Sequence, residues 1–222
     1  MELIASGREA DVFAVEEGRV LRRCRDLRSR CEHQAEIMEW VRRQGYPVPR
    51  VFSVAGPDMV LERIEGPTMV ESLLGGDMTV VAAGETLAEL LHRLHALAPP
   101  PDSNPDHAVQ HLDLHPFNVI SSPSGPVVID WRNSDIGRPG VDAALTGVIL
   151  AQVVLAPADL VPPEVAPLVM ELLEAFLHAI GPLPAADVEA AIAYRARDPH
   201  LSPDELAALA AVPDLLLNPH LG

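Results

Sequence analysis

The first part of the chain alternates short apolar segments with turn-forming residues, a pattern typical of β-strands. Glu16-Glu17-Gly18 and Gly56-Pro57-Asp58 are the clearest turn signals, and each separates two apolar segments. We therefore predict five strands, at residues 3–6, 11–15, 19–24, 50–55 and 59–64.

The apolar positions of residues 32–44 recur with a different period. Ala35, Met38 and Val41 recur at every third position, which places them on one side of an amphipathic helix. Gly45 follows as a residue that commonly ends a helix. One helix is therefore predicted between the third and the fourth strand.

Helical periodicity dominates after Glu65-Gly66-Pro67, which we interpret as a hinge between two lobes. We predict helices at residues 80–97, 141–154, 164–180, 185–197 and 203–211. The expected fold class is α+β. Residues 1–64 would form a small antiparallel β-sheet lobe with one helix, the N-lobe, and residues 65–222 a mainly α-helical C-lobe.

Charge divides the chain at about the same place. The formal net charge is −16, and the sequence contains arginine but no lysine. Residues 1–50 hold ten arginines and nine acidic residues, whereas residues 51–222 hold six arginines and 23 acidic residues. A near-neutral first part can accept a polyanion such as ATP, whereas the acidic second part would repel nucleic acid and anionic lipid but attract cations. Acidity that serves only solubility is an open alternative.

Several partners and locations are disfavoured by the sequence. No apolar run approaches the roughly 20 residues of a membrane span, and the N-terminus has no secretory pattern. Cys24 and Cys31 lack CxxC spacing and are expected to be reduced thiols. We expect a cytoplasmic protein without nucleic-acid or membrane partners. The oligomeric state stays open.

Two short segments carry the candidate chemistry. His111–Asn118 reads His-Leu-Asp-Leu-His-Pro-Phe-Asn, and Asp130 follows twelve residues after Asn118, in a segment that we predict to be a strand ending in this carboxylate. Phosphoryl transfer needs a carboxylate at the acceptor hydroxyl and a divalent metal held by an amide oxygen and a second carboxylate. We therefore predict a phosphotransferase with Asp113 as catalytic base and Mg²⁺ on Asn118 and Asp130.

These segments resemble the aminoglycoside phosphotransferase family of small-molecule kinases. Ser6-Gly7-Arg8-Glu9-Ala10-Asp11, the turn Gly45-Tyr46-Pro47-Val48-Pro49, and Ile129–Asp142 with its Gly137 and Pro139 also resemble that family. The resemblance implies a protein-kinase-like bilobal fold, ATP or GTP as the phosphate donor, Mg²⁺, and a small-molecule acceptor.

The resemblance also implies a set of nucleotide-binding residues, namely Ser6, Gly7, Arg22, Gln34, Glu62 and Ile64. Ser6 and Gly7 would cover the phosphates, and the segment around Glu62 would offer backbone groups to the adenine edge. Arg22 stands where the family has a lysine, with Arg23 as the alternative if the register shifts by one. Gln34 stands where the family has the glutamate that pairs with this lysine.

Two further residues receive roles from the same resemblance. His111 would brace the catalytic loop, and Asp142 would tie that loop to the following helix. By their positions in and after the catalytic loop, His115 and Asp135 are possible acceptor-binding residues. The alternative for His115 is shaping of the loop, and the alternative for Asp135 is a solvated side chain.

Two functions are compatible with this pattern. The first is a kinase that acts on a hydroxyl of a small, cationic molecule. The second is a non-catalytic nucleotide-binding pseudokinase or scaffold on the same fold, suggested by the departures at Arg22 and Gln34. The complete set of Asp113, Asn118 and Asp130 favours the first.

Overall fold

The computed structural model describes residues 1–7, 10–25, 31–156 and 165–217. Within these ranges the chain forms two lobes, an antiparallel sheet with one helix followed by a mainly helical part. This is the α+β, protein-kinase-like class that the sequence predicts. No helix in the described ranges has both the length and the apolar character needed to cross a membrane.

The first lobe contains an antiparallel sheet with the strand order β1-β2-β3-β5-β4. Its strands are β1 (Glu2–Ser6), β2 (Ala10–Glu16), β3 (Arg19–Cys24), β4 (Val51–Ala55) and β5 (Asp58–Glu62). The predicted strands agree with these bounds to within two residues. The central strand, β3, buries Arg22 and Cys24 on one face and exposes Arg23 between them, because side chains alternate along a strand.

One helix, α1 (Cys31–Arg43), lies between the sheet and the second lobe. Its buried residues share one helix face and are Cys31, Gln34, Ile37, Met38 and Val41. The indole nitrogen of Trp40 donates a hydrogen bond of 2.8 Å to the carbonyl of Ala98 in the second lobe. The helix is therefore anchored to both lobes.

The predicted hinge is packed against the second lobe. Gly66 has a φ of +136°, and a side chain there would collide with the backbone of Ser121. The amide of Ser121 donates to the carbonyl of Pro67 at 2.8 Å. Thr68 then caps α2 (Met69–Gly75) through a capping box. α2 was not predicted from the sequence, because seven residues are too few for a clear helical period.

The second lobe contains the remaining elements of the described chain. Its other helices are α3 (Val80–His95), α4 (Pro139–Val154), α5 (Val165–Ile180), α6 (Ala185–Arg195), α7 (Pro203–Ala208) and α8 (Val212–Leu217). Its strands form two short pairs, β6 (Ala108–Gln110) with β9 (Asp135–Gly137) and β7 (Val119–Ser122) with β8 (Gly125–Val128). The helices from α3 to α7 agree with the predicted ones, whereas α8 was not predicted. The short strand pairs hold the segments with the candidate chemistry.

The core of this lobe surrounds α4. Every residue from Asp142 to Gln152 is buried, as expected for a helix that is apolar on nearly all sides. α3 packs closely on α5, and Gly84 of α3 lies directly against the backbone of α5 between Leu172 and Phe176. This rigid group of helices supports the loops described below.

Replacing Gly84 with Ala should destabilise the protein, although alanine normally favours a helix by about 1 kcal/mol. The added methyl group would lie 2.6 Å from the carbonyl oxygen of Leu172 and 2.8 Å from the amide nitrogen of Phe176. Separating the two helices should cost about 1–3 kcal/mol, measurable by urea unfolding. Gly147→Ala is the matched control, since only the flexible end of Leu216 must move there. Equal losses in both variants would contradict this account.

Candidate active site

A single buried carboxylate fixes the start of the catalytic loop. Asp142, in the first turn of α4, accepts hydrogen bonds from the backbone amides of His111 at 2.9 Å and Leu112 at 2.7 Å. Leu112 has a left-handed backbone with a φ of +60°, which costs a non-glycine residue about 1 kcal/mol or more. These contacts support the structural role predicted for Asp142.

Asp142 has a further partner that the sequence analysis did not identify. His95 of α3 places Nε2 at 3.0 Å from Asp142 Oδ2. Burial by itself would raise the pKa of Asp142, but the hydrogen bonds from His95 and from the His111 amide outweigh burial and hold the pKa below its ordinary value. The two residues are 47 positions apart on different helices, so no local pattern could reveal the pair.

His111 lies beneath the loop. Its Nε2 hydrogen-bonds the carbonyl of Ile129 at 3.0 Å, and its buried ring packs edge-on against Trp131 with centroids 5.0 Å apart. Burial lowers the pKa of His111, so the ring is neutral at neutral pH and Nε2–H is the donor to this carbonyl. The contact links the catalytic loop to the segment that carries Asp130 and supports the predicted structural role.

Asp113 and Asn118 face each other within the loop. The side-chain amide of Asn118 donates to the carbonyl of Asp113 at 2.8 Å and lies 3.5 Å from Asp113 Oδ2. Burial raises the pKa of Asp113 to about 7, and the negative charge of Asp130 adds to this rise. A carboxylate with a pKa near neutrality is suited to accept a proton from a hydroxyl group.

His115 contributes to the same hydrogen-bond group. Its Nε2 lies 3.3 Å from Asn118 Nδ2 and 3.6 Å from Asp113 Oδ1. Burial lowers the pKa of His115 to about 4, so its ring is neutral at neutral pH and can accept the hydrogen bond from Asn118. In the structure His115 shapes the loop, and its contact with an acceptor stays a prediction.

Asp130 lies beyond β8, so the prediction of a strand that ends in this carboxylate was wrong by two residues. The apolar run continues past the point where strand pairing stops. The amide of Ile129 donates to the carbonyl of Asn118 at 2.9 Å, which puts Asn118 and Asp130 at the same end of the β7–β8 pair. The backbone of Asp130 has a left-handed conformation, with a φ of +57°, and begins a sharp turn.

Arg22 reaches this carboxylate from the first lobe. Its Nη2 donates to Asp130 Oδ1 at 2.8 Å. Its Nη1 lies 3.4 Å from Gln34 Oε1 and 3.2 Å from Cys24 Sγ. The buried guanidinium is therefore neutralised by Asp130 and not by a carboxylate on α1, because Gln34 is uncharged.

Side chains alternate between the two faces of β3, and this decides which of Arg22 and Arg23 points toward the loop. Arg23 lies on the exposed face, where its Nε and Nη2 donate to the carboxylate of Asp58 at 2.7 and 2.6 Å. Only one of the two neighbouring arginines can point toward the loop. Arg22 is the one that does so.

The oxygen atoms at the end of the β7–β8 pair suit a hard divalent cation. Among the described residues, Asn118 Oδ1 and Asp130 Oδ2 have no hydrogen-bond partner. Magnesium prefers carboxylate and amide oxygens of this kind. The described ranges hold no group of three or more His, Cys, Asp or Glu side chains that could bind a metal. Asn118 and Asp130 therefore fit the predicted ion.

Ser6 and Gly7 lie at the turn after β1. Ser6 Oγ donates to Asp11 Oδ1 at 2.6 Å and accepts a hydrogen bond from Arg25 Nη2 at 2.8 Å. The two other residues of the predicted phosphate-covering turn, 8 and 9, lie outside the described residues. Ser6 itself is paired with Asp11 in the β1–β2 register.

Glu62 and Ile64 lie where β5 leaves the sheet. The carboxylate of Glu62 accepts a hydrogen bond of 3.1 Å from the amide of Arg50 and is thereby turned toward β4. The Ile64 amide has no hydrogen-bond partner among the described residues. Of the two predicted positions, Ile64 therefore offers the free backbone donor for a base edge.

The end of α6 brings charged residues near the loop, which the sequence analysis missed. The pKa of Asp113 is lowered by the charge of Arg195 and raised by that of Asp198, so both charges act on the base. Arg195 is held in place by Gln152 on α4, at 2.8 Å, and by Asp198, at 3.2 Å. The charged cluster at residues 195–198 was visible in the sequence, but no pattern connected it to the loop.

Asp135, predicted for acceptor binding, is exposed at the start of β9. Its Oδ1 lies 3.8 Å from His33 Nε2 on α1. Burial raises the pKa of Tyr194 on α6, and the charges of Asp113 and Asp135 raise it further. The charges of both carboxylates therefore act on Tyr194.

The bilobal fold, with a loop carboxylate and amide followed by a second carboxylate, is that of a phosphotransferase. The model of the APH phosphotransferase enzyme family matches residues 1–109 and 83–187. The chain belongs to this family and is a small-molecule kinase. A search of curated protein sequences found no match.

Solved structures share the fold over nearly the whole chain. The streptomycin–ATP ternary complex of APH(2")-IIa is 12% identical, with a TM-score of 0.57, and covers 97% of this chain and 93% of that one. Amicoumacin kinase hAmiN with AMP-PNP, Ca²⁺ and Ami is 14% identical, with a TM-score of 0.54 and coverage of 96% and 86%. A choline/ethanolamine kinase family protein from Mesorhizobium loti is 13% identical, with a TM-score of 0.53 and coverage of 94% and 86%. At these identities the likeness shows the fold alone.

Replacing Asp142 with Asn should destabilise the protein by about 3–5 kcal/mol, because buried donors would lose their charged acceptor. The folded-state pKa of Asp142 is lowered, so its stabilisation is present above the unfolded value of about 4 and is lost as the pH falls through the folded value. The variant should therefore lose less stability than the wild type on acidification from about pH 6 to pH 3. Denaturant unfolding at several pH values measures both effects.

Asp106→Asn provides the matched control for this experiment. Asp106 is exposed, and its carboxylate has no hydrogen-bond or ion-pair partner among the described residues. Its replacement should change the free energy of unfolding by less than about 0.5 kcal/mol. A similar loss in both variants would refute the special role of Asp142.

Proposed function

We propose that this kinase transfers the γ-phosphate of ATP or GTP to a hydroxyl group of a small, cationic molecule. The observation that carries the proposal is the convergence of Asp113, Asn118 and Asp130 at one end of the β7–β8 pair. Arg22 faces this group from the other lobe, with 2.8 Å between its Nη2 and Asp130 Oδ1. Family membership supports phosphoryl transfer as the reaction.

In this proposal the first lobe, residues 1–64, binds the nucleotide. Ser6 and Gly7 cover the phosphates, and the Ile64 amide donates to the base. The related folds bound to ATP and AMP-PNP support an adenine nucleotide as donor. The near-neutral charge of this lobe permits a polyanion to approach, whereas the acidic lobe would repel one.

Arg22 has two alternative partners in this mechanism. Its guanidinium pairs with Asp130. Asp130 would hold the cation in this proposal, and Arg22 would then donate to phosphate oxygens, which an arginine can contact bidentately and with permanent charge. Gln34 does not compete, because a neutral amide leaves the charge of Arg22 available.

The second lobe, residues 65–222, supplies the chemistry. Asn118 and Asp130 would hold Mg²⁺ through their free oxygens, and the ion when bound neutralises phosphate charge. Asp113 accepts the proton of the acceptor hydroxyl as that oxygen bonds to phosphorus. Burial, which raises the pKa of Asp113 to about 7, makes it a stronger base than an exposed aspartate.

A cationic acceptor is supported by the carboxylates around the base. Asp135 is exposed at the start of β9, and the charge of Asp198 raises the pKa of Asp113. Residues 51–222 carry 23 acidic residues against six arginines. Such a surface attracts ammonium groups. Amino alcohols, amino sugars and aminoglycosides have this chemistry.

One observation favours the alternative of a non-catalytic nucleotide-binding protein. Arg22 Nη1 lies 3.4 Å from Gln34 Oε1, a long contact that holds the arginine less firmly than the ion pair of an active kinase. A scaffold would bind nucleotide without turnover. The retained carboxylates argue for catalysis, and the experiments below separate the two functions.

Calorimetric titration with ATP and GTP, each with and without Mg²⁺, tests the nucleotide site. We expect binding that requires Mg²⁺ and that Asp130→Asn abolishes. Arg22→Gln should weaken binding about tenfold or more, since one hydrogen bond from a charged group contributes about 1.5–3 kcal/mol. Arg23→Gln is the matched control and should leave the affinity unchanged. Failure of both nucleotides to bind at millimolar concentration would contradict the proposal.

Asp113→Asn tests the catalytic base. The variant should keep its nucleotide affinity and lose about 10²–10⁴-fold in kcat, because an amide cannot accept the hydroxyl proton. The measurement is ADP or GDP release in the presence of a panel of cationic alcohols and amino sugars. Unchanged turnover in the variant would rule out the assigned role. Tight nucleotide binding without turnover of any acceptor would favour the scaffold.

A further inference from the structure

Two buried thiols lie beside Arg22 and have no part in the chemistry proposed above. Cys24 ends β3 and Cys31 begins α1, and their Sγ atoms are 3.3 Å apart. Neither is in a disulfide bond, and their exposures are 4% and 0%. We propose that Cys24 and Cys31 are a site of reversible oxidation, where a hydroperoxide-class oxidant forms a disulfide bond.

The geometry requires only a small movement. A disulfide S–S bond is about 2.05 Å long, so the sulfur atoms would have to approach by about 1.3 Å. Cys24 points to the buried face of the sheet and Cys31 to the buried face of the helix, so the two side chains already face each other. Small oxidants such as hydrogen peroxide are the reagents suited to thiols this deeply buried.

The reaction is balanced with hydrogen peroxide as oxidant. One thiol attacks a peroxide oxygen, the O–O bond breaks, and that sulfur becomes a sulfenic acid as one water forms. The second thiol then attacks the sulfenic sulfur, which forms the S–S bond and releases a second water. A dithiol reductant returns two electrons and two protons and restores both thiols.

The bond would act on Arg22 through both of its Nη1 contacts. Cys24 Sγ accepts a hydrogen bond from Arg22 Nη1 at 3.2 Å. Cys31 lies one helical turn before Gln34, whose Oε1 is 3.4 Å from the same nitrogen. Drawing the sulfurs together displaces both groups, so the arginine loses its position opposite Asp130. This consequence, unlike the disulfide itself, rests on the proposed nucleotide role of Arg22.

Mass spectrometry of the intact and the digested protein tests the bond. Arg25, Arg28 and Arg30 separate the two cysteines, so trypsin places them on different peptides. Peroxide treatment should lower the intact mass by roughly 2 Da, for two lost hydrogen atoms, and link the two peptides until dithiothreitol is added. A gain of roughly 16 or 32 Da on a cysteine-containing peptide without linked peptides, the signature of sulfenic or sulfinic acid, would overturn the proposal.

Nucleotide titration of the oxidised and reduced protein tests the effect on Arg22. Oxidation should weaken binding about tenfold, and dithiothreitol should restore it. Cys31→Ser, with Cys31→Ala as a second variant, cannot form the bond and should show no response to peroxide. Linked peptides with unchanged affinity would overturn the coupling to Arg22. If neither form bound nucleotide, the proposed function would fail, while the linked peptides would still decide the disulfide.

Discussion

The buried carboxylate of Asp142 connects the helical core to the catalytic loop. It lies at the start of α4, the most enclosed helix of the second lobe. It accepts hydrogen bonds from the backbone amides of His111 and Leu112. These hydrogen bonds stabilise the left-handed turn at Leu112 and set the direction of the following loop. His111 then bonds the carbonyl next to Asp130. Through these two steps one charge orients the base and both candidate metal ligands.

A second charge joins the lobes. Arg22 is buried in the sheet, and its neutralising partner is Asp130 of the other lobe, not a residue of the neighbouring helix. The planar guanidinium contacts Asp130, Gln34 and Cys24 at once, which suits arginine better than the single ammonium of lysine. The sequence has no lysine, and Arg22 stands at the position where the resemblance implies one. The hydrogen bonds around this position are those of a guanidinium and not of an ammonium group. Arg22 therefore belongs to the proposed nucleotide site and also contacts one of the two neighbouring thiols.

Sequence periodicity predicted the long elements well and the short ones poorly. The strands of the sheet and the helices of 11 or more residues repeat their apolar positions often enough to show a period. α2, α8 and the strands flanking the catalytic loop have only three to seven residues. Their apolar positions show no clear period. The strand prediction at Asp130 failed for a related reason, since an apolar run does not reveal where pairing ends.

The sequence by itself determined the fold class, the family, and the order of Asp113, Asn118 and Asp130, because local period and fixed spacing are properties of the chain. Tertiary structure decided which arginine faces the loop, that His95 pairs with Asp142, and that the end of α6 lies beside the base. It also decided that Cys24 and Cys31 meet. Each of these four features depends on which face of the sheet a side chain lies on, or on contacts between elements distant along the chain. Such contacts arise only when packing brings the elements together.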